Sequence, residues 1–151
     1  LFGAKHAYAV SSGTGALHSA YIAAGVRPGD EVIVPGYTFM ATASAVVQAL
    51  GIPVFCDVDK SLTMDPADME WRITPRTRMI LMCHVINLTG QILPVKAVTS
   101  MARSRGVPVI VDGAKTDGIE SILKACRART TVSAPLSKAH GKLFWFPAGP
   151  V

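Results

Sequence analysis

The sequence has little of what marks a membrane or secreted protein. No run of about 18 apolar residues occurs, because Gly, Pro or charged residues interrupt the apolar stretches, so we expect no membrane-spanning helix. The first residues show no basic leader followed by an apolar run, so we expect no signal peptide. The chain starts with Leu1 and its last residues are apolar, and we expect both ends to be cut from a longer protein.

Cysteine is scarce and unpaired. Cys56, Cys83 and Cys126 include no CxxC pair, and the first two lie in apolar runs where a free cysteine behaves as a small hydrophobic residue. A zinc site or a disulfide framework is therefore not expected, and no metal site is predicted. This pattern favours a reducing cytoplasmic location.

Charge is also limited. Charged residues make up 17% of the 151 residues, half of the chain is apolar, and the net charge is +5. The basic residues are scattered, apart from Arg127 and Arg129, and no aromatic residues accompany them, so nucleic acid is not an expected partner. The composition predicts one globular domain with a single core.

Short β-branched runs alternate with longer helical stretches, which is typical of a layered α/β domain with a mainly parallel sheet. The pattern predicts strands at 8–10, 31–35, 53–57, 79–83 and 107–111. It predicts helices at 15–24, at 38–50 with Thr38 as the cap, after Asp65, and at 95–104. Beyond Gly118 the signal is weak, and a helix at 119–128 is one possibility.

A glycine-rich turn, SGTG at residues 12–15, separates the first strand from the first helix. Backbone N–H groups at a helix start, with glycines that permit close approach, form an anion site suited to a phosphate ester. An ordinary helix capped by Ser or Thr is the simpler interpretation of this turn.

Two further candidates lie at strand ends. Asp112 follows an apolar strand, at the edge where open α/β sheets bind ligands, and a carboxylate there can hold a protonated ring nitrogen. A helix N-cap is the alternative role for Asp112. Phe39, just after the 31–35 strand, can stack on a flat cofactor or pack in the core.

The remaining candidates are single polar residues. Lys138 and Lys142 are each able to form a Schiff base if the lysine lies in a cleft, although most lysines are solvated surface residues. His84 and Asn87 follow the 79–83 strand, where they either cap the strand end or contact a ligand.

These features occur in the order found in fold type I pyridoxal phosphate (PLP) enzymes, and the sequence resembles the DegT/StrS-type sugar aminotransferases of that class. Segment 12–17 (SGTGAL) resembles their SGTxAL turn, and segment 29–43 (GDEVIVPGYTFMATA) resembles their GDEVIVP…TFxATA block. Three shorter segments are similar as well: 54–59 (VFCDVD), 73–78 (ITPRTR) and 109–114 (VIVDGA). The resemblance covers roughly residues 2–118.

The resemblance implies a three-layer α/β/α fold and a role for each matching residue. Gly13 and Thr14 would bind the cofactor's phosphate, Phe39 would stack on its ring, and Asp112 would pair with its ring nitrogen. The family's covalent lysine lies about thirty positions after the Asp, with a phosphate-binding Ser five positions before it.

Lys142 and Ser137 fit both of these spacings, and Lys138 is the alternative covalent lysine. In addition, segment 147–149 (PAG) resembles the start of the family's AGEGG turn.

The sequence also departs from the family pattern. Lys115 stands where the family usually has the Gln or His that contacts the cofactor's phenolic oxygen, and residues 118–134 lack the usual Gly-Asp turn. Residues 84–91 (HVINLTGQ) resemble the class V aminotransferases and desulfurases as much as the DegT group. A class V type desulfurase or epimerase, or an inactive remnant of the fold, is therefore an alternative.

On this resemblance we expect a PLP-dependent aminotransferase that acts on a nucleotide-linked keto-sugar with an amino acid as donor. A homodimer is implied, since such enzymes build their sites between subunits. Residues 1–151 would be part of the large, PLP-binding domain, without the N-terminal arm and the small C-terminal domain.

Overall fold

A computed structural model of the chain describes residues 8–84, 86, 89–113, 130–135 and 142–145. Seven strands and four helices occur in these ranges. The strands are β1 (Tyr8–Val10), β2 (Glu31–Pro35), β3 (Ile52–Cys56), β4 (Thr77–Cys83), β5 (Val109–Asp112), β6 (Thr130–Pro135) and β7 (Lys142–Trp145). The helices are α1 (Gly13–Ala23), α2 (Ala41–Gln48), α3 (Pro66–Trp71) and α4 (Val95–Ser104).

The described strands form one mainly parallel sheet in the order β1-β7-β6-β5-β4-β2-β3. Strands β3, β2, β4, β5 and β6 run parallel to one another. Strand β7 lies between β6 and β1 and is antiparallel to both. The central strands contain continuous apolar runs, such as 32–34 in β2 and 79–83 in β4, because helices cover both faces of such a sheet. This confirms the predicted α/β class with a mainly parallel sheet.

The core consists of two apolar clusters, one on each face of the sheet. Alternate residues of a strand point to opposite faces, so Val32 belongs to one cluster and Ile33 to the other. Helices α1 and α2 pack on the face of Val32, while α3 and α4 pack on the face of Ile33. The domain therefore has the three layers that the resemblance implied.

Helix starts follow local capping chemistry in two of the four cases. Ser12 caps α1 by accepting a hydrogen bond from the N–H of Gly15 at 3.1 Å. Asp65 caps α3 by accepting from the N–H of Ala67 at 2.9 Å, with Pro66 as the first helical residue, as predicted.

The prediction that Thr38 caps the second helix is wrong. Helix α2 begins at Ala41, and Met40 at its N-cap position makes no side-chain capping bond. The Thr38 hydroxyl instead shares a hydrogen bond with the hydroxyl of Thr42 at 2.9 Å and one with the thiol of Cys83 at 3.4 Å. Thr38 therefore contacts Cys83 at the end of β4 rather than the backbone N–H groups of α2.

Other predicted boundaries differ by small amounts. Strands β1 and β2 and helix α4 have the predicted bounds, β3 lies one residue earlier than predicted, and α1 begins two residues earlier. Strand β4 begins at Thr77, and β5 extends to Asp112. The possible helix at 119–128 lies outside the described residues.

The chain reverses its direction of travel across the sheet between β2 and β4. Helix α2, which follows β2, lies on one face, and α4, which follows β4, lies on the other. The connections leave these neighbouring strand ends in opposite directions, which opens a crevice at the carboxyl edge where α/β proteins bind ligands.

Cys56 is a free thiol, the Cys83 thiol shares a hydrogen bond with the Thr38 hydroxyl, and Cys126 lies outside the described residues. In the part of the chain that the structure describes, no helix has the length and apolar character needed to cross a membrane. The same ranges hold no group of three or more His, Cys, Asp or Glu residues arranged for a metal ion.

Leu50, just after α2, is expected to carry backbone strain. Its φ of 63° lies in the left-handed region, which costs a side chain roughly 1–2 kcal/mol, and its side chain is 65% exposed. Leu50→Gly should therefore raise the free energy of unfolding by about 0.5–1 kcal/mol, as measured by urea denaturation. Val47→Gly, an exposed site within α2, should lower it by roughly 0.5 kcal/mol, and a loss in both variants would contradict the assignment.

Candidate active site at the carboxyl edge of the sheet

The first turn of α1 offers backbone donors at the carboxyl end of β1. The Ser12 side chain accepts the N–H of Gly15, so the cap predicted as the simpler interpretation is present. The N–H groups of Gly13 and Thr14 precede Gly15, and helix geometry gives them no acceptor within α1. Capping and anion binding are thus compatible here, because they use different N–H groups.

Asp112 is the last residue of β5 and is partly buried. In the sheet it lies in register with Cys83 of β4 on one side and Ser133 of β6 on the other. Its carbonyl oxygen accepts the backbone N–H of His84 at 3.0 Å. Two neighbouring strand ends therefore hold the backbone of Asp112 in place at the carboxyl edge.

Phe39 lies in the connection between β2 and α2, and 75% of its surface is exposed. Core packing, the alternative role for this aromatic ring, is therefore excluded among the described residues. The carbonyl oxygen of Phe39 accepts the N–H of Thr42 at 2.9 Å, which ties the residue to the first turn of α2. An exposed ring at the β2 end is available to a planar ligand.

His84 follows β4 and is buried, with 8% of its surface exposed. Its carbonyl oxygen accepts the N–H of Leu93 at 3.1 Å, so the residue links the β4 end to the segment before α4. Its Nδ1 atom is buried and has no hydrogen-bond partner among the described residues. Burial lowers the pKa of the imidazole, because charging it would place an unsolvated cation in the protein.

An open groove of about 590 Å³ lies between His84 and the start of α4. Its walls are mostly apolar and are formed by His84, Leu93, Pro94, Val95, Lys96, Ala97 and Ser100. The groove lies on the α4 side of the sheet, whereas α1 and α2 lie on the other side.

Lys142 is the first residue of β7, and this strand runs antiparallel to β6 and β1. Its register partners are the last residues of these strands, Pro135 of β6 and Val10 of β1. The topology therefore places the backbone of Lys142 at the same edge as Asp112 and the α1 start. Asn87, Lys115, Ser137 and Lys138 lie outside the described residues.

The sequence analysis missed a hydrogen-bonded chain beneath this edge. Tyr21 lies on the buried face of α1, and its hydroxyl donates to the carbonyl oxygen of Thr42 at 3.1 Å. The signal was present, since a tyrosine among core positions needs a partner for its hydroxyl. Thr42 and Thr38, whose hydroxyls bond to each other, continue the chain towards Cys83.

The residues at this edge fit a planar, phosphorylated cofactor. The N–H groups of Gly13 and Thr14, which have no acceptor within α1, suit a phosphate. The exposed ring of Phe39 suits a flat heterocycle, and the Asp112 carboxylate suits a protonated ring nitrogen. All three groups lie at the carboxyl edge of one sheet.

The lowered pKa of His84 predicts a loss of stability in mild acid. The unfolded imidazole takes up a proton near its ordinary value of 6.5, while the folded one resists protonation until a lower pH. The free energy of unfolding should therefore fall as the pH drops below about 6.5, by at most about 1.4 kcal/mol per pH unit from this group.

Urea denaturation at pH 7.5 and pH 5.5 checks this prediction. His84→Gln should reduce the difference in unfolding free energy between the two pH values. His18→Gln, on the less buried surface of α1, is the matched control and should keep the wild-type difference. An unchanged difference in His84→Gln would show that another group causes the loss.

Comparison with known proteins agrees with this geometry. Residues 1–125 match the model of the DegT/DnrJ/EryC1/StrS aminotransferase family. The chain is 41% identical over 117 residues to UDP-2-acetamido-2-deoxy-3-oxo-D-glucuronate aminotransferase of Pseudomonas aeruginosa, covering 77% of this chain and 32% of that protein. It is 43% identical over 117 residues to GDP-perosamine synthase of Caulobacter vibrioides, covering 77% of this chain and 31% of that protein.

Solved structures show the same fold. The chain superposes on 3-amino-5-hydroxybenzoic acid synthase with a TM-score of 0.81 and 29% identity, over 98% of this chain and 40% of that one. It superposes on NtdA of Bacillus subtilis, solved with the cofactor PMP bound, with a TM-score of 0.82 and 28% identity, over 98% of this chain and 34% of that one.

The chain thus spans about a third of the length of these curated relatives. The family match also decides between the two groups that residues 84–91 resembled, in favour of the DegT type. With its three-layer fold and the match over residues 1–125, the chain belongs to the DegT/DnrJ/EryC1/StrS aminotransferase family.

Proposed function

We propose that the protein containing this chain is a PLP-dependent aminotransferase that transfers an amino group from an amino acid to a nucleotide-linked keto-sugar. One observation supports this most directly: the α1 start, Phe39 and Asp112 each follow a strand at the same carboxyl edge of the sheet, in a chain of this family. The named relatives, an aminotransferase of a UDP-linked oxo-sugar acid and a GDP-perosamine synthase, support the sugar substrate.

In this proposal four described residues hold the cofactor. Gly13 and Thr14 donate their backbone N–H groups to its phosphate, and Phe39 stacks on its ring. Asp112 holds the proton on the ring nitrogen, and its own position is fixed by the backbone bond from His84. When bound, PLP supplies a carbonyl carbon that accepts the amino group and a protonated ring that takes up electrons.

Lys142 is the proposed covalent lysine and the group that moves the proton. Its Nζ amine would hold PLP and, when the donor is bound, would carry the proton that leaves the substrate carbon. Lys138 is the alternative for this role. Ser137 is proposed to bind the phosphate and Lys115 to contact the phenolic oxygen.

We propose a homodimer in a reducing, cytoplasmic compartment. The lack of a CxxC pair in the sequence and the free thiol of Cys56 support the compartment. Apolar side chains that remain exposed on and after α2 and on the edge strand β3, including Val47, Ile52 and Phe55, support burial against further protein. Both the rest of the chain and a second subunit are able to supply that protein.

Chemical trapping of the cofactor tests the lysine assignment. The whole protein is loaded with PLP, reduced with borohydride and digested, and the labelled peptide is mapped by mass spectrometry. Wild type should carry one label, on Lys142. Lys142→Ala should lose both the label and the visible absorbance, because no other amine is expected to replace Nζ.

Lys138→Ala is the matched control for this experiment and should keep the label on Lys142. The reverse pattern, with the label lost only in Lys138→Ala, would reassign the covalent lysine to Lys138. No label in a folded wild-type sample would contradict the proposed function and favour an inactive remnant of the fold.

Asp112→Asn should slow proton transfer, because a neutral amide cannot hold the ring nitrogen in its protonated form. The expected loss is about 100-fold in the single-turnover rate with an amino-acid donor, with weaker PLP binding. Asp57→Asn is the matched control, since Asp57 follows β3 and its side chain is 83% exposed. Equal rates for Asp112→Asn and Asp57→Asn would exclude Asp112 from the ring-nitrogen role.

A further inference from the structure

The hydroxyl of Tyr21 is buried on the α1 side of the sheet. The side chain is fully buried within the apolar cluster shared by α1, α2, β2, β4 and β5. Its hydroxyl donates to the carbonyl oxygen of Thr42, in the first turn of α2, at 3.1 Å. A buried hydroxyl is costly without a partner, so this bond fixes the start of α2 relative to α1.

Two threonine hydroxyls extend this contact to the crevice between the β2 and β4 ends. The hydroxyl of Thr42 bonds to that of Thr38 at 2.9 Å, and the Thr38 hydroxyl bonds to the Cys83 thiol at 3.4 Å. We call the sequence Tyr21–Thr42–Thr38–Cys83 the polar chain. It joins α1, α2, the connection after β2 and the end of β4.

Phe39 lies within the segment that the polar chain holds. Its side chain is 75% exposed, so packing does not fix it, and α2 has no side-chain cap at Met40. The carbonyl oxygen of Phe39 accepts the N–H of Thr42, and Thr38 precedes it in sequence. Backbone bonds from Gly36 to Cys56 and from Ser44 to Met40 hold the two ends of this segment, and the hydrogen bonds of Thr38 and Thr42 tie its middle to β4 and α1.

The surroundings keep the Tyr21 hydroxyl protonated. Burial raises the pKa of Tyr21 far above its usual value, and the negative charge of Asp112 raises it further. The hydroxyl therefore remains a donor throughout the physiological pH range.

We propose that Tyr21 is a positioning residue: through the polar chain it fixes the Phe39 segment against the strand ends and thereby sets the orientation of a planar cofactor ring. The second half of this inference rests on the proposed function, because it requires PLP at this edge. The first half concerns the chain alone and is testable without any cofactor.

Hydrogen–deuterium exchange of the apoprotein tests the first half. Tyr21→Phe removes one oxygen atom and should speed the exchange of the backbone amides at 38–42 about threefold to tenfold, which corresponds to the loss of one hydrogen bond. Tyr8→Phe, at a residue that is 60% exposed on β1, is the matched control and should exchange as wild type does. Unchanged exchange at 38–42 in Tyr21→Phe would overturn the inference.

The second half is tested with PLP bound to the whole protein. Tyr21→Phe should weaken PLP binding about threefold to tenfold and reduce the visible circular dichroism of the bound cofactor, which reports the orientation of its ring. A lower unfolding temperature with unchanged Kd and unchanged dichroism would show a purely structural role. Absence of PLP binding in wild type would contradict the proposed function, and the exchange result would still decide the role of Tyr21 in the segment.

Substitutions at Thr38 complete the test without altering the apolar cluster. Thr38→Val keeps the shape of the side chain but breaks the polar chain in its middle, and should reproduce the effects of Tyr21→Phe on exchange and dichroism. Thr38→Ser keeps the hydroxyl and should restore near wild-type values for both. Equal behaviour of Thr38→Val and Thr38→Ser would show that the hydroxyl has no positioning role.

Discussion

The parallel sheet must be covered on both faces, and the rest of the structure depends on this requirement. Residues of β2 alternate between two apolar clusters, with Val32 and Val34 in one and Ile33 in the other. Each face therefore needs its own helices, and a right-handed connection assigns a helix to a face according to the direction in which the chain crosses the sheet. Because the chain moves from β2 outward to β3 and then back to β4, α2 and α4 lie on opposite faces. The crevice between the β2 and β4 ends is a consequence of burying both faces.

The same constraint leaves polar backbone groups at that edge. Where a strand ends and its helix turns away, carbonyl and N–H groups lose their sheet partners and must find others. The bond from the His84 N–H to Asp112 joins two such ends, and the N–H groups of Gly13 and Thr14 have no acceptor within α1. A ligand with a phosphate and a ring nitrogen matches what the edge offers. The placement of helices on both faces of the sheet therefore also produces the candidate site at its carboxyl edge.

Much of this arrangement was predictable, because it follows from local pattern. Continuous apolar runs gave β2 and β4, and the Asp65-Pro66 pair gave the start of α3. The start of α2 was not predictable in the same way, since Thr38 has the residue type and position of a cap. Its hydroxyl bonds instead to Cys83, which is 45 positions away in the sequence. A contact at that sequence separation cannot be predicted from the local residue pattern. The candidate residues Asp112 and Phe39 were found by their place at strand ends, whereas the role of Tyr21 required the packing of α1 on α2.

Tyr21 and Phe39 show how one fold divides its aromatic residues between stability and binding. Tyr21 is fully buried, so the burial of its ring contributes to folding and its hydroxyl must be satisfied within the protein. Phe39 remains 75% exposed, so most of the roughly 1.5–3 kcal/mol that burial of a phenylalanine provides is not used in folding. That free energy is available to a planar ligand, but only if the ring is held where the ligand binds. Because Tyr21 is buried, folding itself orders the segment that contains Phe39. The entropy cost of ordering this segment is therefore not subtracted from the free energy of ligand binding.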